Sequence, residues 1–297
     1  MVKRFKLMHD VIESHPVNLD TAVSLTQKRW PWYQQIPGAI NFRFFGACPG
    51  CDNPVTLVAL HDLVQPPHGR HTNYRVPGFP QFVPSAYRTC PYVLPPGRRD
   101  KNARRQTSEL GQAIRRLAIQ EFDRVVLVLS QDLGIPLSRS LAERMLRVWL
   151  AAQGYEYVGA HLRNVPWMIA YFAKSESLFG QKVDGIEELV QAIEARLPQA
   201  TVSQDGRLEK GTAFYDLQLA CLDHVVRRTD DHQIDESFIM RVSDFTKAKL
   251  PGDAATVFEK HITFDTLRFE RLMATPPERA RRNQDLLDIA ARVDREF

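Results

Sequence analysis

More than half of the chain's 19 prolines fall between Gly38 and Gly97, and no other feature narrows its folding options as much. Proline lacks the amide donor and clashes with the preceding turn, so helices cannot persist across this stretch. The segment must be irregular and short-stranded, and a segment of that kind needs something besides packing to order it. Three of the four cysteines lie in it, as Cys48-Pro49-Gly50-Cys51 and then Cys90, together with His61, His68 and His71. A Cys-x-x-Cys on a Pro-Gly turn sets two thiolates about one tetrahedral edge apart, and a structural zinc then needs two further ligands. Cys90 is the natural third. His71, near the middle of the segment joining Cys51 to Cys90, is preferred as the fourth, and His68 is its competitor.

The alternative for the cysteine pair is two unmetallated thiols on a turn. A thioredoxin-like redox pair would open a helix after a strand, whereas here Asp52-Asn53-Pro54 breaks a helix and the β-rich run Val55 to Leu60 follows. A knuckle leading into a strand suits a zinc ribbon or treble clef. Disulfide scaffolding is not expected from four cysteines in 297 residues, because the basic start Met1 to Lys6 is not followed by an apolar stretch of signal-peptide length. A reducing, cytoplasmic setting is the expectation.

The order Phe45-x-x-Cys48-Pro49-x-Cys51, a strand, Arg70-His71-Thr72-Asn73-Tyr74-Arg75-Val76-Pro77-Gly78, and then Arg88-Thr89-Cys90-Pro91-Tyr92 resembles the zinc ribbon of competence-protein CoiA-like sequences. The resemblance covers about residues 43 to 92, with Tyr74 where that pattern has a second histidine. It implies Cys48, Cys51, His71 and Cys90 as the zinc ligands, and a role in processing incoming DNA.

Immediately after Cys90 the chain becomes basic. Residues 98 to 116 carry Arg98, Arg99, Lys101, Arg104, Arg105, Arg115 and Arg116 against Asp100 and Glu109, within an overall net charge of only +4. Such a run can neutralise several phosphates, and small zinc modules commonly hold basic side chains against nucleic acid. A solvated linker and helix face is the competing reading. No apolar run approaches the roughly 20 residues that span a bilayer, so no membrane partner is expected.

The proline-rich module, with a helix before it running to about Tyr33, accounts for residues 1–97. Residues 98–297 have a different character and are expected to be helical, which makes the whole chain mainly α. Thr107-Ser108-Glu109 can cap a helix containing Leu110, Ile114 and Leu117. Over 124–153 a helix, a break at Asp132 to Pro136 and a second helix bearing Arg139, Arg144 and Arg147 resemble a helix-turn-helix, although core hairpins of this kind are commoner. Val165 to Phe172 reads as core or interface, and Trp167, Tyr171 and Phe172 are alternatively stacking groups. Further helices are expected at 184–197, 212–228, 235–248 and 253–273, and a charged terminal helix after Pro276-Pro277, near Arg279, Arg281 and Arg282.

Catalytic patterns are sparse. His9-Asp10, His61-Asp62, Asp223-His224 and Asp230-Asp231-His232 contain metal-hydrolase residue types without a spacing that fixes a geometry. The chain has no Walker A loop, dinucleotide fingerprint, nucleophile elbow or His-Glu-x-x-His, and Cys221 reads as core. Four protein ligands make a closed, structural site. The expectation is a non-catalytic, zinc-stabilised protein that binds nucleic acid, DNA before RNA, with Arg98 to Arg116, Arg139 and Arg144 on phosphates. The alternatives are a structural subunit with protein partners on its helical half, and a metal-dependent nuclease in which His224 or Asp231 would matter.

Overall fold

A computed structural model of the chain describes residues 1–297 apart from positions 37, 39, 210–213, 231, 232, 249 and 277, and the side chain at 251. The N-terminal region contains the short paired strands β1 (Arg4–Phe5) and β2 (His15–Pro16), helix α1 (Leu19–Thr26), and strands β3 (Tyr33–Gln35), β4 (Phe42–Ala47), β5 (Pro54–Val58) and β6 (His68–His71), followed by the one-turn helix α2 (Pro84–Arg88). Strands β3 to β6 form an antiparallel sheet in sequence order. Asn18 starts α1 because its side-chain oxygen accepts the Thr21 amide at 2.8 Å, satisfying a donor the helix leaves unpaired. Two small cores result. One joins Val2, Phe5, Phe44, Val55 and Leu57 to the three cysteines, and the other sets Phe45 against Val76 and Phe79 on the opposite side of β4.

The rest of the chain runs β7 (Gly97–Arg98), α3 (Glu109–Gln120), α4 (Phe122–Leu133), α5 (Arg139–Ala151), α6 (Val165–Phe172), β8 (Glu176–Ser177), α7 (Glu187–Arg196), the hairpin β9 (Thr201–Val202) and β10 (Leu208–Glu209), β11 (Leu217–Arg228), β12 (Ile234–Asp244), β13 (Ala255–Thr263), α8 (Thr266–Met273) and α9 (Gln284–Asp294). A second antiparallel sheet has the order β13-β12-β11-β7, with β8 also paired to β11. Every residue of α6 is buried, the signature of a helix enclosed on all sides. It packs on β11, α4 and α5, and Trp167 stacks on Phe264 at 4.8 Å. One large core unites these helices with the sheet.

The expectation of a mainly α chain is wrong: 33% of the residues are helical and 24% are in strands. The helices expected at 212–228, 235–248 and 253–273 are the strands β11, β12 and β13, with only the last part, α8, helical. Leu217 to Leu222 is rich in good helix formers, and long-range pairing with β12 overrides that weak local preference. A bulge further obscures the strand pattern. Up to Cys221 the odd residues face inward, and after Asp223, whose φ is 61°, the even residues His224 and Val226 do so. The N-terminal helix is likewise confined to Leu19–Thr26, and the module is an ordered sheet rather than an irregular segment. Among the described residues no helix is long and apolar enough to cross a membrane.

Candidate metal centre

Three local structures deliver four ligands to one point. The turn between β4 and β5 carries Cys48 and Cys51; it is closed by Asp52 N donating to Cys48 O at 3.0 Å and Cys48 N donating to Asn53 O at 2.9 Å. Gly50 is required there, since a Cβ would stand 2.8 Å from Pro91, so the knuckle presses directly on the segment holding Cys90. Cys90 follows α2, and its amide donates to Tyr87 O at 3.1 Å. His71 ends β6, opposite Val55. His68 lies three residues earlier on the same strand, so its side chain leaves by the other face, and its Nδ1 lies 3.1 Å from Pro66 O. Among the described residues, Cys48, Cys51, His71 and Cys90 form the one cluster of this kind, with all ligand atoms within 4.8 Å of one another.

The spacing suits an ion bound tetrahedrally. Metal–sulfur bonds of about 2.3 Å and metal–nitrogen bonds of about 2.0 Å imply edges of about 3.8 Å between sulfurs and about 3.5 Å from sulfur to nitrogen. Cys48 Sγ and Cys90 Sγ are 3.7 Å apart, and His71 Nε2 lies 3.3 Å from Cys51 Sγ and 3.7 Å from Cys90 Sγ. The cysteines are buried and unpaired as disulfides. Two of the sulfurs meet donors: Gly50 N approaches Cys48 Sγ at 3.4 Å and Asn53 Nδ2 approaches Cys51 Sγ at 3.5 Å, while Asn53 Oδ1 accepts the Val83 amide at 2.6 Å.

Burial alone would raise all three thiols. Hydrogen bonds from Cys51, Cys90 and the Gly50 amide overcome it at Cys48 and hold that thiol well below its ordinary value, whereas burial and then Cys48 push Cys90 well above. Nearby lies Arg105, brought down to about 10 by its own burial and partly sustained by Glu156, Cys51 and Cys90. A dication with three thiolates carries one net negative charge, and this guanidinium opposes it. With four protein ligands the centre leaves no open position for substrate, which is the arrangement of a structural site.

The expected phosphate contacts are differently placed. Arg98 pairs with Asp223, Arg115 with Asp294, Arg139 with Asp285 and Arg144 with Glu176. Arg105 is buried, donating to Tyr157 O at 2.6 Å and also to Ala160 O. Arg104 lies over Phe172 and donates to Ala152 O at 3.0 Å, Lys101 lies over Tyr171, and Arg99 donates to Pro95 O at 2.8 Å. Arg116 is exposed on a cleft of ≈ 800 Å³ that also carries Asp10, Asp52 and Glu109. The helix pair over 124–153 exists as α4 and α5, but α5 packs on α6 and α9, and Arg147 pairs with Glu143 at 2.9 Å. Trp167, Tyr171 and Phe172 are core residues.

Sequence reasoning passed over two features. Residues 1–97 hold nine Lys and Arg against five Asp and Glu, whereas residues 98–297 hold thirty of each, so the entire net charge belongs to the metal module. That count was legible from the start and was hidden by the conspicuous arginine run. The other feature is a buried polar chain. Glu236 receives His161 Nε2 at 2.7 Å, His224 Nε2 at 3.1 Å and Asn164 Nδ2 at 3.2 Å, and Tyr157 Oη lies 3.1 Å from His224 Nδ1. His224 is completely buried and serves this network, while Asp231 and His232 lie outside the described residues. Compared with models of protein families, with curated proteins and with solved structures, the chain matches none.

Proposed function

We propose that the chain is a non-catalytic, zinc-stabilised protein that binds nucleic acid through the surface of its metal module. The donor set of three thiolates and one imidazole at tetrahedral spacing supports zinc over harder ions. The observation that carries the nucleic-acid reading is the net charge: residues 1–97 hold nine Lys and Arg against five Asp and Glu, while the rest of the chain is balanced. Within the module Lys28, Arg29, Arg43, Arg70, Arg75 and Arg88 are exposed and form no ion pair among the described residues. Residues 98–297 also expose cations without an ion pair, Arg116, Arg227 and Arg271 among them, but amid an equal number of carboxylates. Cations without an internal partner are free to displace counterions from phosphates, and this term dominates non-specific affinity.

Binding of zinc-loaded protein to fluorescent DNA and RNA oligonucleotides across a salt series tests the reading. If all six cations engage a single strand, the logarithm of the affinity should fall against the logarithm of salt with a slope of about −4. Absence of binding to either nucleic acid at low salt would sink it.

A further inference from the structure

At the edge of the core that also holds the three cysteines, the module sheet carries an aromatic row that metal binding does not use. Tyr33 and Phe42 stack with ring centroids 5.2 Å apart and planes 24° apart, and Phe44 lies 4.6 Å from Tyr33 on its other side. The strand register explains the row. Tyr33 pairs with Phe44, and Phe42 stands two residues along β4, so all three project from the same face. Phe42, the outermost, is 54% exposed, a large cost in water for an aromatic ring with no covering element. The rings line a groove of ≈ 420 Å³ between α1 and the sheet edge, within the size range of small-ligand sites. Lys28 holds its ammonium 5.8 Å from the Tyr33 ring, and Arg43 stands at the rim. The groove's one carboxylate, Asp62, is occupied by the amides of Val64 and Gln65 at 2.8 and 2.9 Å.

We infer that this groove takes the unpaired bases of single-stranded nucleic acid, which stack on Phe42, itself backed by Tyr33, while Lys28 and Arg43 meet the flanking phosphates. The inference rests on the nucleic-acid reading above and specifies its strandedness. An exposed ring offers a base a π face, which a duplex keeps inside its own stack, and stacking of this kind tolerates any base. The charge beside the rings is what favours nucleic acid as the occupant: Lys28 and Arg43 suit an anion, and the exposed ring suits a flat base, two features that one nucleotide combines.

Twelve-nucleotide oligo-dT and oligo-U, and a duplex of equal length, should be titrated by fluorescence anisotropy against zinc-loaded wild type, Phe42→Ala and Phe42→Trp, with zinc content checked for each. The expected result is tighter binding of a single strand than of the duplex, a loss of about tenfold or more for Phe42→Ala on the single strand only, and recovery in Phe42→Trp. Equal binding of single strand and duplex with Phe42→Ala unaffected would overturn the groove while leaving phosphate binding by the module intact. Loss of self-association in Phe42→Ala at unchanged oligonucleotide affinity would make the face a protein contact and would also overturn it. No binding by wild type would remove both readings.

Discussion

The two regions of this molecule differ in charge balance, +4 in residues 1–97 against zero beyond them. Beyond residue 97, arginines tie distant segments together: Arg163 meets Glu270, Arg282 reaches Asp123 at 2.9 Å, and Arg268 holds Asp132 at 2.6 Å. In the metal module, six exposed cations have no such partner among the described residues, and four candidate ligands converge on one point. The difference teaches that a run of positive charge has to be read together with the fold: of the seven cations from Arg98 to Arg116, Arg98, Arg105 and Arg115 meet a carboxylate.

The sharpest way to break the comparison is to remove the metal. Structural zinc in comparable sites contributes an apparent 10–16 kcal/mol, roughly, at neutral pH. Cys90→Ser should therefore lose zinc and expose residues 1–97 to protease while the helical core remains protected, as read by metal analysis and limited proteolysis; a resistant, metal-free module would show that packing suffices. Next in size is Arg105→Ala, which leaves the buried Glu156 without its ion partner and should destabilise by about 3–5 kcal/mol in a denaturant titration. Arg70→Ala, an exposed module cation, is expected to change stability by less than about 0.5 kcal/mol while lowering the steepness of the salt dependence by about 1. A reversal of that pattern would refute the division between structural and free cations.

Glu236 adds a pH signature to the body alone. Burial by itself would raise this carboxyl, but His161 and then His224 overrule it and hold it well below its ordinary value of 4.5. A depressed folded-state value contributes stability that is complete above 4.5 and drains away as the pH falls below it. Wild type should accordingly weaken on acidification below about pH 4.5, and Glu236→Gln should show a shallower acid limb at a cost of about 1–3 kcal/mol at neutral pH. A small effect on stability is also expected from Arg144→Ala, a half-exposed pair with Glu176 worth about 0.2–1 kcal/mol.

The metal ligands were legible because their chemistry is local and rare: few residue types bind a soft ion, and Cys48-Pro49-Gly50-Cys51 announces its own turn. The choice between His71 and His68 needed the strand, since three residues along β6 means opposite faces. The second sheet was not legible. Its pairing partners are remote in sequence, Leu217 to Leu222 favours a helix locally, and the bulge at Asp223 erases the two-residue alternation that would have revealed β11. The pairing within the arginine run was hidden for the same reason, since Asp223 and Asp294 lie far along the chain from Arg98 and Arg115.

That bulge makes β11 a splice between two frames. Residues before Asp223 and residues after it are both in phase with the core only because the bulge absorbs the extra residue between them. Straightening the strand with Asp223 kept would impose a single frame, so either Leu217, Leu219 and Cys221 or His224 and Val226 would have to turn outward. The second half also pairs with β7, and the His224 carbonyl accepts the Arg99 amide at 3.0 Å. The bulge in the body thus reaches the point where the metal module is joined to it, and β11 sets the phase of that joint.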